Sequence, residues 1–240
     1  MIYKLNKRKI AMKKILLSLA MVLIYIMPAN AELTRAIGIT AVASTIDSTV
    51  TDDIDSNGTI DTTKDISNDV AYGSLFLEFT NENVGPGSIT FGLDVIPGST
   101  EFESRSTSQQ SSKAKAAGAS PQTTGTNSGT VDVDRHITLY IQPGVTTANG
   151  LTVFGTVGYV TADVEADVKS VSSTNKTEEL SLDGVKLGLG VKKVFGNDMF
   201  VKLEYAQTDY DEISVTTENS TKVSADIDNT TLALSIGKQF

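Results

Sequence analysis

Cysteine and tryptophan are absent from this sequence of 240 residues, and histidine occurs once. Without cysteine, the chain cannot form disulfide bonds, cysteine-ligated zinc sites or thiol nucleophiles. Basic residues are also few, with 20 Lys and Arg against 29 Asp and Glu, which gives a formal net charge of −9. Phosphate binding needs a basic surface, so we expect no nucleic acid as a partner.

Long apolar runs are scarce as well. The main one covers residues 15–26, follows a lysine-rich head and precedes Pro28-Ala29-Asn30-Ala31. This order is typical of a cleavable signal peptide over residues 1–31, with the mature chain starting at Glu32. The run is about 12 residues, shorter than the ~20 of a spanning helix; the alternative is an uncleaved anchor. No other stretch predicts a spanning helix, so any membrane crossing would use strands.

The remainder of the sequence alternates between large apolar and small or polar residues in separate segments. Such alternation predicts β-strands with two different faces. The segments with this pattern are residues 34–45, 71–80, 88–96, 131–142, 151–169, 180–195, 199–216 and 228–240. The facing of the fifth segment is ambiguous. The pattern predicts an all-β protein of about eight strands, arranged as a barrel or a sandwich.

The connections between these segments alternate in length. The short ones, at residues 81–87, 143–150 and 196–198, carry Gly, Asn or Pro, as tight turns do. Long polar connections at residues 46–70, 97–130 and 170–179 lie between them, with a shorter hairpin tip at 219–222. Short turns at one end and long loops at the other favour an up-and-down antiparallel β-barrel over a sandwich.

The last segment carries the most specific signal. Leu232, Leu234 and Ile236 alternate with small residues, and the chain ends on Phe240. It resembles the closing strand of the bacterial outer-membrane β-barrel superfamily, the group of OmpA-barrel, OmpX, OmpW and opacity proteins. Lys238 departs from the apolar residue usual in that family.

The resemblance extends over the whole mature chain. It implies a transmembrane barrel in the outer membrane of a Gram-negative bacterium. It also implies a monomer in contact with the lipid bilayer. Leu232, Leu234, Ile236 and Phe240 would then be the assembly signal that the barrel-insertion machinery recognises.

Several charged residues fall on the face that would line the barrel. These are Glu78, Asp94, His136, Lys186, Lys192, Lys202 and Glu204. The interior of an eight-stranded barrel is just wide enough for side chains to fill it. Opposite charges would therefore pair and close it, because unpaired buried ions are costly. The alternative is a narrow ion-selective pore, which small inward residues would favour: Gly92, Gly188, Gly190, Ala206 and Gly237.

The first long connection contains Asp53-Ile54-Asp55-Ser56-Asn57-Gly58-Thr59-Ile60-Asp61. It matches the first nine positions of an EF-hand calcium loop, with oxygen ligands from Asp53, Asp55, Asn57, Asp61 and the Thr59 carbonyl. The twelfth position is Lys64 instead of glutamate, and Asp65 follows it. We therefore expect calcium to bind weakly, at roughly 10⁻⁴–10⁻³ M. A solvated acidic loop without calcium is the alternative.

Evidence for an enzyme is weak. His136 is the single histidine, it follows Asp134 and Arg135, and no G-x-S-x-G motif is present. We expect a non-enzymatic surface protein whose long loops, including the low-complexity stretch 97–130, carry any interaction. A narrow diffusion channel for ions or small solutes is the alternative.

Overall fold

The computed structural model describes residues 33–53, 58–84, 87–98, 100–109, 125–169, 176–216 and 222–240. The signal peptide predicted at residues 1–31 lies outside these ranges. The described residues form ten β-strands: β1 Leu33–Asp53, β2 Thr62–Val84, β3 Gly87–Ile96, β4 Thr100–Gln109, β5 Gly125–Thr146, β6 Leu151–Lys169, β7 Lys176–Val194, β8 Met199–Tyr210, β9 Ile213–Thr216 and β10 Lys222–Gln239. In these ranges, no helix is long and apolar enough to cross a membrane.

The strands close into a single antiparallel barrel. Each pairs with its neighbour in the order β1-β2-β3-β5-β6-β7-β8-β10, and β10 pairs with β1 to complete the circle. β4 continues the line of β3 along β5, and β9 continues β8 along β10, so the barrel has eight strand positions. At the closure, Arg35 and Phe240 exchange backbone hydrogen bonds of 2.8 and 3.1 Å. The predicted eight-stranded up-and-down barrel is confirmed.

Burial alternates along the strands because successive side chains point to opposite sides of the barrel wall. On β2, Leu75 and Leu77 are exposed on the outside, whereas Phe76 and Glu78 are buried inside. On β6, where the sequence left the facing ambiguous, Phe154 and the other even-numbered residues as far as Val164 point inward. The outer surface is therefore apolar and the inner surface largely polar.

The long connections are much shorter than the sequence predicted. The strands extend into residues 46–70, 97–130 and 170–179. β1 continues to Asp53 and β2 begins at Thr62, β4 and β5 cover parts of the second connection, and β7 covers part of the third. These extensions are polar but rich in Thr and other β-formers, and pairing satisfies their backbone groups. Thr45 and Thr49 on β1 donate side-chain hydrogen bonds of 2.7 and 2.9 Å to Asp69 and Asp65 on β2. The polar residues of these extensions therefore belong to paired strands that are in contact with water, whereas the sequence predicted loops at these positions.

The apolar outer band ends at an acidic collar. Along the strands, the first carboxylates at outward positions towards the long hairpins are Asp47, Asp69, Asp163, Asp183, Asp209 and Asp228. Beyond this collar both the outer surface and the hairpins are polar. We call this the long-hairpin end of the barrel, and the opposite end, with turns such as residues 147–150, the short-turn end.

Candidate functional site: the barrel interior

The centre of the interior holds a buried ion pair. Glu78 on β2 has no exposed surface, and Lys202 on β8 is 5% exposed. The Nζ atom of Lys202 contacts Oε1 of Glu78, and the hydroxyl of Tyr140 donates a 2.8 Å hydrogen bond to the same oxygen. A lysine and a glutamate from distant parts of the chain therefore neutralise one another where water has little access.

A second ion pair lies close to the first. Lys186 Nζ on β7 is 2.6 Å from Glu204 Oε1 on β8. The other oxygen of Glu204 accepts hydrogen bonds of 2.9 Å from Gln142 and 2.8 Å from Thr156. Four strands thus converge on one carboxylate, and both of its oxygens have partners. Such hydrogen bonds offset part of the cost of burying the two charges.

The other three charged or titratable residues that the sequence placed inside also face the interior, with different partners. Asp94 accepts a 2.7 Å hydrogen bond from Ser74. The Lys192 ammonium lies 4.2 Å from the ring centroid of Phe200. The ring nitrogen Nε2 of His136 lies 3.2 Å from the Tyr210 hydroxyl.

Aromatic rings fill the space that the small residues leave, which corrects the argument that inward glycines keep a pore open. At Gly92 and several other inward glycines, the directly opposite residue on the next strand is aromatic, and its ring occupies the place of the missing side chain. The pairs are Gly38–Phe76, Gly92–Tyr140, Gly190–Phe154, Gly237–Phe200 and Gly184–Tyr210. Gly188 lies opposite Ala206 and has no room for a larger side chain.

Three of these rings surround the Lys202 ammonium. Its Nζ atom lies 4.8 Å from the ring centroid of Phe76, 5.6 Å from that of Tyr140 and 5.9 Å from that of Phe154. Cations are attracted to aromatic faces at such distances. We call the two ion pairs and these three rings the interior plug.

The plug lies between two polar cavities. Thr40, Asp94, His136 and Lys186 line one of them, towards the long-hairpin end, together with the ion-paired Glu204. Residues near the short-turn end line the other, namely Thr80, Glu82, Ser88, Gln142, Lys192 and Gln239. The two sets of lining residues do not overlap, and residues of the plug line both cavities, Tyr140 the first and Phe154 the second.

The acidic segment is described in part. Asp55 and Asn57 lie outside the described residues. Gly58 has a positive φ of 88° and donates a 2.8 Å hydrogen bond to the carboxylate of Asp53. Asp65 lies on β2 and accepts the hydrogen bond from Thr49. Within the described ranges, no group of three or more Asp, Glu or His side chains could hold a metal ion.

Calcium binding therefore stays a prediction, which calorimetry can test. Titration of millimolar calcium into the folded protein should give a weak, saturable heat, because the predicted ligand set has lost its bidentate glutamate. Asp53→Asn should abolish this heat. Asp65→Asn, at the position bonded to Thr49, should reduce it less. If the unmodified protein gives no heat, the calcium prediction is wrong.

The outward apolar band, the closed strand order and the polar interior together define a transmembrane β-barrel. Residues 16–240 match the family model of the outer membrane protein beta-barrel domain, so the chain belongs to this family and sits in the lipid bilayer of the outer membrane. No curated protein sequence matches the chain.

Solved structures with a similar fold come from several bacteria. The attachment invasion locus protein Ail of Yersinia pestis is 14% identical, with 88% of this chain and 99% of Ail covered and a TM-score of 0.40. OprG from Pseudomonas aeruginosa is 14% identical, with 88% and 96% covered and a TM-score of 0.46. The outer membrane protease OmpT from Escherichia coli is 8% identical, with 87% and 96% covered and a TM-score of 0.48.

Proposed function

We propose that this protein is a closed, non-enzymatic outer-membrane barrel that holds surface hairpins outside the membrane. The interior plug is the observation that carries the proposal. An ion would have to separate Glu78 from Lys202, and each would then be an unpaired charge in a dry interior. The closed barrel is favoured over the diffusion channel for this reason.

The hairpins beyond the acidic collar support a role at the surface. β1 and β2 remain paired as far as Asp52 and Thr62, well past the end of the apolar band. β6 and β7 remain paired as far as Val168 and Lys176. Paired strands hold exposed side chains in fixed positions, which suits contact with another molecule better than an unstructured loop does. The contact surface in this proposal is the polar outer face of these extensions.

The interior gives no support to an enzyme. The His136 ring contacts the Tyr210 hydroxyl and not a serine hydroxyl, so this contact does not form the histidine–serine arrangement of a serine hydrolase. The proposed protein is a monomer, because the apolar band continues around the barrel. We also propose that the barrel-insertion machinery recognises the closing strand through Leu232, Leu234, Ile236 and Phe240. These four side chains point outward and are 52%, 48%, 46% and 66% exposed.

Conductance in a planar bilayer tests the proposal. The purified protein should give no discrete current steps, because the plug closes the barrel. Resistance of the barrel to protease would show that the protein has inserted. Tyr140→Ala combined with Phe154→Ala, which removes two rings of the plug, should produce openings and serves as the matched positive control. Steady openings of the unmodified protein would contradict the closed barrel and favour the channel.

A further inference from the structure

The polar cavity at the short-turn end is large enough for a small solute. Its volume is about 430 Å³, within the range of ~300–1,000 Å³ that ligand pockets commonly have. Phe154 of the interior plug and the buried Gln142 line its inner part. The short turns of outer-membrane barrels face the periplasm, so solutes from that side reach it. We call it the short-turn cavity.

The ammonium group of Lys192 on β7 faces this cavity without a carboxylate in contact. Among the described residues, the ion pairs inside the barrel use Lys186 and Lys202, and Lys192 takes part in neither. Its Nζ atom instead lies 4.2 Å from the ring centroid of Phe200. Lys192 is also directly opposite Lys202 on β8, and like charges that face each other across strands are destabilising. The interior therefore keeps an unfavourably placed cation beside an accessible cavity.

Hydroxyl groups lie next to this cation. Thr80 and Thr90 form one hydroxyl pair at 2.9 Å, and Thr146 and Thr152 form another at 2.8 Å. In each pair one hydroxyl donates to the other, so the second keeps a hydrogen that can bond a ligand. Thr152 is directly opposite Lys192 in the pairing of β6 with β7. Ammonium and hydroxyl donors at one place suit a carboxylate that itself carries hydroxyl groups.

Glu82 limits the charge that such a ligand can have. Its side chain is exposed and lines the same cavity. Its carboxylate attracts the Lys192 ammonium, although the two groups are too far apart to form an ion pair. A ligand with one carboxylate can bond to Lys192, whereas a second carboxylate in the same cavity would be repelled by Glu82.

We propose that the short-turn cavity binds a small hydroxylated monocarboxylate of the sugar-acid class. Its carboxylate bonds to Lys192, and its hydroxyl groups bond to the threonine hydroxyls of the wall. Under the closed barrel proposed above, the molecule enters and leaves through the short-turn end. This binding is separate from any contact that the surface hairpins make at the opposite end.

Equilibrium dialysis tests the proposal, with the protein in phosphatidylcholine nanodiscs, D-gluconate as the probe and empty nanodiscs as the blank. Gluconate should bind saturably at millimolar concentration or below. D-Glucitol has the same carbon chain but no carboxylate, and it should bind at least about tenfold more weakly because a hydrogen bond to a charged group is lost. D-Glucarate carries a second carboxylate and should also bind more weakly than gluconate, because Glu82 repels it.

Three variants locate the binding. Lys192→Met should abolish the saturable binding of gluconate. Lys193→Met is the matched control, because the neighbouring lysine contacts the backbone carbonyl of Asn149 and does not line the cavity. Glu82→Gln, at an exposed position, should reduce the difference between gluconate and glucarate, and it decides the matter if Lys192→Met fails to insert.

Four results would overturn the proposal. Equal binding of gluconate and glucitol would mean that the short-turn cavity is only a solvated opening. Gluconate binding that survives Lys192→Met would place the probe elsewhere. A preference for gluconate over glucarate that Glu82→Gln leaves unchanged would separate the binding from this cavity. The fourth is the absence of any saturable binding at millimolar gluconate.

Discussion

Replacement of Lys202 by methionine is expected to destabilise the folded barrel by about 3–5 kcal/mol. Methionine keeps most of the side-chain volume among the rings of Phe76, Tyr140 and Phe154, but the Glu78 carboxylate loses its ammonium partner. That carboxylate is fully buried, and its Oε2 atom already lacks a hydrogen-bond partner in the described structure. Equilibrium urea unfolding in phospholipid vesicles, followed by circular dichroism, measures the change.

The companion variants separate the loss of the pair from a general effect of mutation. Glu78→Gln combined with Lys202→Met removes both charges and should recover most of the loss, because no buried charge is left unpaired. Asp163→Asn breaks the exposed pair with Arg135 and should cost less than about 1 kcal/mol. If Lys202→Met costs no more than Asp163→Asn, the central ion pair does not hold the barrel closed.

The sequence was sufficient to predict the barrel because a barrel wall has a simple two-residue period. Leu232, Leu234 and Ile236 face outward, and Ala233 and Ser235 face inward, as their order in the sequence requires. The alternation also placed Glu78 and Lys202 on the inner face. Strand number and connection lengths then left an up-and-down barrel as the simplest arrangement.

The contacts inside could not be predicted, because they depend on strand register and stagger. Glu78 and Lys202 are 124 residues apart in the sequence and lie on strands that are not neighbours in the barrel. Which lysine meets which carboxylate depends on the shear of the closed sheet, which the alternation does not specify. The pairing of Gly92 with Tyr140 likewise follows from the register of β3 with β5.

The positions at which the strands end could also not be predicted from the sequence, for a different reason. In the membrane, the outer face must be apolar, so alternation is strong. Beyond the acidic collar both faces meet water, the alternation fades, and paired strands resemble loops in composition. The bulge at Arg135 and His136 lies close to this change, with Asp163 of the collar opposite Asp134. The alternation therefore gives no sign of this β-bulge, where the pairing of β5 with β6 shifts between Asp134 and Ile137.

Replacement of Gly92 by alanine is expected to destabilise the barrel by about 2–5 kcal/mol. A Cβ atom at Gly92 would overlap the ring of Tyr140, which supplies all three of its nearest atoms. The ring would have to move, and its hydroxyl would then lose the 2.8 Å hydrogen bond to Glu78. The expected loss therefore combines overpacking with a broken hydrogen bond to a charged group. Urea unfolding in vesicles again provides the measurement.

Gly73 offers a matched control, because a Cβ atom there would meet only the backbone oxygen of Thr40, at an ordinary 3.6 Å. Gly73→Ala should be neutral or slightly stabilising, since alanine restricts the unfolded chain. In a Tyr140→Ala background, Gly92→Ala should cost almost nothing, because the ring that it displaces is gone. In a Tyr140→Phe background, Gly92→Ala should retain only the cost of overpacking, because phenylalanine has no hydroxyl to bond Glu78. An equal cost in all three backgrounds would mean that the Tyr140 ring does not rest on Gly92, and the glycines would again count as open space for a pore.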